Sequence, residues 1–354
     1  MQAELDRLLK SFTDGWGSRG RVREVALCID RDGERWSACR GEWQGQPVTS
    51  QTPFFVASTS KLLATAMLLR LQSEGQLRLD DPVLRFFADG ELDGLHRWKG
   101  QDLTGQICVR HLMAHCSGLP DYFEGRRRDG SRFANRLLSG QDQAYGWPDV
   151  LRWTRDEMKP HFPPGQGRRA LYSDSNYYLL GEVIRRVTGV PLDRALTTLV
   201  TDPLGLKDTA FYRPGMPVMP LRLGVRTLDV PQAMASMPVD GGAVSTADDL
   251  MTFTLALFGG HFCDTGTLTS LQDWRRVFFP LQAGVGLLRF AMPSWLALGR
   301  RYPELIGHSG ISGAFAFHCP DRHWTLTGTV NQIEGRGRPY RLMMQALDLL
   351  QRSR

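Results

Sequence analysis

Apolar residues recur along this chain with more than one period, and each period predicts a different element. Leu5, Leu8, Leu9 and Phe12 fall at helical spacing among charged residues, which predicts an amphipathic N-terminal helix. Residues 24–29 and 35–40 read as strands, and Arg31-Asp32-Gly33 between them is a hairpin signal. From Leu62 to Leu71 the apolar positions cover nearly the whole helical circumference, as in a buried helix, with Ser58 before the run and Gly75 after it. Between about Asp80 and Met237 the pattern predicts helical segments at 109–115, 177–187 and 192–200. Loops such as Ser117-Gly118-Leu119-Pro120 and Asp202-Pro203-Leu204-Gly205 separate them. Strand character returns at 285–292, 313–318 and 324–330, the last two joined by a turn at Pro320-Asp321-Arg322. Leu342, Met343, Ala346, Leu347, Leu349 and Leu350 then form the face of a closing helix. The order predicts an α+β chain: a sheet built from residues 1–79 and 238–354 and covered by terminal helices, with a mostly helical region, 80–237, inserted.

Composition narrows the class. With 354 residues, 42% hydrophobic and 23% charged, the chain is an ordinary globular protein with room for a large core. A net charge of +6 comes with short clusters such as Arg126-Arg127-Arg128. These read as solvated loop charge, because no long basic stripe with interleaved aromatics accompanies them, so no nucleic-acid partner is expected. Met1 to Asp6 carry acids where an export signal carries bases, and no apolar run is long enough to cross a membrane; the expectation is a soluble, cytoplasmic protein without a membrane partner. Six scattered cysteines without a C-x-x-C pair read as reduced thiols, with a bridge between Cys28 and Cys39 across the hairpin left open. His111 and His115 have metal-ligand spacing, but Leu112 stands where a zinc protease has glutamate, so they read as structural helix residues and no metal is expected. Neither a phosphate loop nor a dinucleotide fingerprint occurs, and no cofactor is expected.

The candidate chemistry begins at Ser58-Thr59-Ser60-Lys61. Residues three apart share a helix face, so Lys61 projects beside Ser58 and is placed to take its proton. Unpaired amides and the dipole of a helix N-terminus favour negative charge developing at Ser58. Alone, such a serine is more often a cap. Tyr172-Ser173-Asp174 and His308-Ser309-Gly310 follow in the order a three-part serine site needs, Tyr172 from a loop and His308 from the start of a late strand.

These residues resemble the serine beta-lactamase-like hydrolases, the family of class C beta-lactamases, D,D-carboxypeptidases and related esterases. The similar stretches are Phe54-Phe55-Val56-Ala57-Ser58-Thr59-Ser60-Lys61, residues 109–120, Pro163-Pro164-Gly165, residues 172–181, Pro203-Leu204-Gly205-Leu206, residues 241–246 and Gly307-His308-Ser309-Gly310. The resemblance implies the beta-lactamase/transpeptidase-like fold, an antiparallel sheet with terminal helices beside a helical insert and an active site between them. It implies Ser58 as the nucleophile of an acyl-enzyme and Lys61 with Tyr172 as a coupled general base, without saying which of the two receives the proton. It also implies an oxyanion hole formed by the amides of Ser58 and Ile311, with Asp174, His308, Ser309 and Gly310 facing the substrate. Two departures bear on specificity. His308 replaces the lysine of beta-lactamases, which weakens carboxylate recognition, and Asp174 replaces an asparagine, so it accepts hydrogen bonds only or pairs with Lys61. The expected activity is hydrolysis of small esters or amides. An acyltransferase, a D-amino-acid peptidase, a weak beta-lactamase and a sensor that acylates without turnover are the alternatives.

Overall fold

The N-terminal hairpin forms where alternation and turn residues require it. The structure, a computed structural model, describes residues 1–15, 22–293, 295 and 299–352. Strands β1 (Val25–Arg31) and β2 (Glu34–Arg40) pair antiparallel. They join β3 (Arg275–Phe278), β4 (Leu281–Ala283), β5 (Leu288–Phe290), β6 (Leu305–Ser309), β7 (Ala314–Cys319) and β8 (Trp324–Thr329). The eight make one antiparallel sheet in the order β3-β4-β5-β6-β7-β8-β1-β2, so the two ends of the chain meet at the β8-β1 pair.

The helices that position the site are α1 (Gln2–Asp14), α2 (Ser60–Ser73), α3 (Val109–Met113), α4 (Asp174–Thr188), α5 (Ala247–Phe258) and α6 (Arg338–Arg352). Strand alternation divides the core in two. Val25, Leu27 and Ile29 pack with Leu5, Leu9 and Phe12 of α1 and with Leu342, Met343 and Leu347 of α6. Ala26 and Cys28 face the other way, into the core that contains Phe253 of α5 and the apolar side chains of α2. Because α2 is apolar all round, it is buried all round, Lys61 included. Among the described residues, 80–237 add no strand to this sheet and carry helices, short two-stranded ribbons and the strand Ala210–Phe211, which joins Phe54–Phe55 and Ala243–Ser245 in a small three-stranded sheet.

Some expectations change. The segment 285–292 is not one strand: only Leu288–Phe290 pairs, between β4 and β6. His308 is near the end of its strand, Leu305–Ser309, and not at the start of one. The helix read at 177–187 begins earlier, at Asp174, because Ser173 holds extended geometry and the turn starts after it. Cys28 and Cys39 lie diagonally across the hairpin, opposite Ser37 and Ala26 respectively, and all six cysteines are free. Among the described residues no helix is long and apolar enough to cross a membrane.

Candidate active site

Ser58 lies in a short 3₁₀ turn, Ala57–Thr59, that feeds into α2. Ala57 has φ +46°, a region costly for a residue with a Cβ, so the turn persists only if its surroundings hold it. They do. The Val56 amide donates to Ala243 O at 3.0 Å. Ser60 Oγ donates to Ala57 O at 2.6 Å and accepts from the Ala243 amide at 3.1 Å. From the other side, Ser312 Oγ donates to Phe55 O at 2.7 Å. Gly310 is dictated by this close approach: a Cβ there would stand 2.3 Å from Val56 O. Its own amide donates to Ala314 O, whereas the Ser58 and Ile311 amides make no backbone hydrogen bond among the described residues.

Lys61, one turn after Ser58, is fully buried. Its Nζ is 2.6 Å from Asp174 Oδ1 and donates to the Asp240 carbonyl at 2.5 Å. Burial alone would discharge this amine; the negative charges of Asp174, Tyr172 and Asp240 outweigh burial and hold it above its ordinary pKa. Asp174 is therefore the counter-ion of Lys61, the second of the two roles expected of an aspartate at this position. Because Asp174 opens α4 and Tyr172 sits two residues before it, one helix start delivers both groups to Lys61.

The half-buried Tyr172 is held from several sides. Its ring stacks on His115 at 4.4 Å, lies 5.3 Å from Phe278 and 6.2 Å from His308, and has the Lys61 ammonium 5.3 Å from its centroid. The surrounding protein pushes its pKa up, opposed by the nearby Lys61 charge and by the polar groups of Ser58 and Lys61. His115 is not a helix residue: it follows the end of α3 with φ +54°, and its ring lies under Tyr172. The Ser173 amide donates to its Nδ1 at 3.2 Å, which leaves the proton of the neutral ring on Nε2. Burial, then the charge of Lys61, holds His115 neutral well below the usual histidine range.

His308 is 2% exposed. Burial and the nearby Lys61 charge bring its pKa down to about 3, so it is uncharged at neutral pH. Its Nδ1 lies 2.9 Å from Ser309 O, which places the proton there and leaves Nε2 as an acceptor. The Ser309 hydroxyl is bonded to the hydroxyl of Tyr340, on α6. Beside Ser58 opens a cavity of about 50 Å³, lined by apolar side chains that include Phe123, Leu221 and Met237, and by Asp174 and Asp240. That is room for roughly three to five water-sized groups. Asp240 Oδ2 accepts from Tyr122 at 2.5 Å, while the buried Oδ1 has no hydrogen-bond partner among the described residues. Burial and the charge of Asp174 push the Asp240 carboxyl up to about 7, and the same causes do so for Asp121, which caps the amides of Phe123, Glu124 and Asp174.

The structure thus gathers Lys61 with Asp174 and the Tyr172 ring, places Ser58 on the cavity that Asp174 also lines, and sets His308 beside Tyr172 and Gly310 against the Ser58 turn. Ser309 is turned to α6. Sequence reasoning missed His115, Asp240 and Phe278. Asp240 adjoins the Gly241-Gly242 stretch that did stand out, but no spacing rule connects it to Lys61, 179 positions away.

Comparisons with known proteins agree on the fold. The family described as Beta-lactamase matches residues 5–348. A protein of Escherichia coli (strain K12), provisionally named a D-alanyl-D-alanine carboxypeptidase, is 30% identical over 218 residues, 59% of this chain and 42% of that protein. The chain thus spans less than half the length of this curated relative. A D-stereospecific amidohydrolase from Streptomyces sp. superposes with a TM-score of 0.75 at 24% identity over 97% of this chain and 98% of its own. The D-amino acid amidase of Ochrobactrum anthropi SV3 does so with a TM-score of 0.77 at 24% identity over 98% and 99%. At those identities the two solved structures establish the architecture. With a family match that runs nearly from end to end and the beta-lactamase/transpeptidase-like fold present, the chain belongs to the Beta-lactamase family.

Proposed function

We propose that the protein is a serine hydrolase that cleaves small amides or esters through an acyl-enzyme on Ser58. The observation that carries this reading is the convergence of one hydroxyl, one phenol and one ammonium: Ser58 lies one turn before Lys61, and the Lys61 ammonium is 5.3 Å from the centre of the Tyr172 ring. Asp174 keeps the proton on Lys61, so the working base is the Tyr172 phenolate, stabilised by the ammonium beside it. Ser58 Oγ attacks the carbonyl carbon as its proton passes to Tyr172. The oxyanion is received by the Ser58 and Ile311 amides, a device whose single donors are worth about 3–4 kcal/mol. Tyr172 then returns the proton to the departing nitrogen or oxygen, and water repeats the sequence to release the acid. Intact-protein mass measurement after mixing with a library of esters, amino-acid amides and lactams tests this. A mass gain equal to an acyl group, on the peptide that contains Ser58, is expected; adducts confined to other residues, or none from any substrate, would end the proposal.

With His308 neutral, a substrate carboxylate gains no charge-assisted bond there, a loss of about 1.5–3 kcal/mol or roughly 10- to 150-fold in rate. Penicillins and cephalosporins are accordingly expected to be turned over worse than neutral esters of comparable reactivity. Efficient cephalosporin hydrolysis would contradict the role given to His308.

The acyl side favours a cation. Three carboxylates line the cavity, Glu124, Asp174 and Asp240, against one base, Arg336; Arg336 is already paired with Glu124 and Asp174 with Lys61, whereas Asp240 Oδ1 lacks a partner among the described residues. An α-ammonium satisfies that oxygen, which points to amino-acid amides or esters; one of the solved structures above is named a D-amino acid amidase. Asp240 ionises as pH rises through about 7, so the preference for a free amino group over its N-acetyl analogue is expected to grow between pH 6 and about 7.5, before the substrate amine itself loses its proton. Asp240→Asn is expected to reduce that preference roughly tenfold and flatten its pH dependence. Equal use of both analogues by the wild type would exclude the ammonium site.

A further inference from the structure

Three of the five large apolar side chains that stand in solvent, among the described residues, belong to one patch: Phe278 at 49% exposure, Phe279 at 70% and Trp295 at 72%. Scattered apolar residues on a surface need no explanation, but a contiguous cluster marks a place where something apolar binds. Phe279 and Trp295 stack, with ring centroids 6.4 Å apart and planes 21° apart. Phe278, at the end of β3, reaches inward to Tyr172, at 5.3 Å between centroids. Phe278 thus adjoins Phe279 in the chain and touches, on its other side, the ring that carries the working hydroxyl.

The chemistry fixes which part of a substrate meets this patch. Tyr172 returns a proton to the departing atom, so the departing group lies along Tyr172 and its neighbours. The acyl group goes to the cavity beside Asp174, Asp240 and Met237, and none of the three aromatic residues lines that cavity. We propose that Phe278, Phe279 and Trp295 form a binding lip for an apolar, ring-bearing leaving group, so that the enzyme selects substrates by the amine or alcohol released as well as by the acyl group. This rests on the reading of Ser58 as nucleophile and Tyr172 as the group that protonates the departing atom. Flat side chains that offer both faces and edges suit an aromatic ring, which they contact without a hydrogen bond to satisfy.

The test compares alanine methyl ester with alanine benzyl ester, which share the acyl group and release alcohols of similar acidity. Wild-type protein is expected to favour the benzyl ester at least tenfold in kcat/KM, the scale of discrimination an apolar pocket provides. In Phe279→Ser and Trp295→Ser the ratio is expected to fall to within about twofold of unity. Calorimetric binding of both esters to the Ser58→Ala protein reads the lip without turnover and should show the same preference, lost in the double variants. A wild-type ratio near one, or a ratio kept in both serine variants, overturns the lip. So does absence of the binding preference in Ser58→Ala protein, or a dimer by sedimentation that the Trp295→Ser change dissolves and that hides the preference. No hydrolysis of either ester, with the binding preference intact, overturns the catalytic reading instead and leaves the lip standing.

Discussion

Replacing Ser58 with alanine is expected to lower kcat/KM by about four orders of magnitude or more and to abolish covalent labelling by fluorophosphonates. The size follows from the site: without Oγ no acyl-enzyme forms, and what remains is binding and oxyanion stabilisation of a water attack. Stability should change little, because Ser58 is half-buried and its hydroxyl is not what holds the turn. Ser60 is the control. Its hydroxyl is buried and bridges Ala57 O and the Ala243 amide, so Ser60→Ala should cost about 1–3 kcal/mol of stability through two unsatisfied partners while labelling at Ser58 persists. Tyr172→Phe should slow acylation by orders of magnitude without loss of the Lys61–Asp174 pair, and its effect combined with a Lys61 change should be less than additive, since the two act as one unit. Labelling that survives Ser58→Ala, or moves to Ser60, would remove Ser58 from its role.

Lys61→Met is expected to fail twice, in stability and in catalysis, and the two failures separate in a second variant. Removing the ammonium leaves Asp174, 12% exposed at the side chain, without the cation 2.6 Å away, and an uncompensated buried charge costs about 3–5 kcal/mol. Replacing the pair together, Lys61→Met with Asp174→Asn, removes that charge and should recover most of the loss, because apolar and neutral substitutes of similar volume are tolerated where a broken pair is not. Turnover should not recover, since the phenolate of Tyr172 loses the cation that stabilises it. The pH direction follows. Asp174 raises the Lys61 pKa above its unfolded value, so on the alkaline side the lysine's contribution is intact up to about pH 10.4 and is lost as pH rises through the folded value. Urea unfolding at neutral pH reads the first effect and ester hydrolysis the second. A single variant as stable as the wild type, or an active double variant, would show that Lys61 is not the partner of both groups.

The Asp174 carboxylate also bears on the pH at which the enzyme works. With both Lys61 and Tyr172 held protonated at rest, one proton must leave the pair before Ser58 can be activated. Hydrolysis that rises into the alkaline range therefore follows from the same contacts that stabilise the ion pair.

The chain's own letters determine what is local. Ser58 and Lys61 are neighbours because a helical turn makes residues three apart neighbours in any setting. The all-round apolar character of α2 determines its burial, and apolar runs joined by the turn residues Arg31-Asp32-Gly33 and Pro320-Asp321-Arg322 determine the β1-β2 and β7-β8 hairpins. The tertiary structure alone decides what is brought together across the chain. Strands β3 to β6 were obscure or misread because they are short, and because a strand buried on both faces, such as β6, carries no alternation to read. His115 under Tyr172, Asp240 behind Lys61 and Phe278 at the rim have no spacing relation to the groups they touch. Each is placed by the packing of α3, α4 and the sheet, and burial among those partners then decides which groups carry charge.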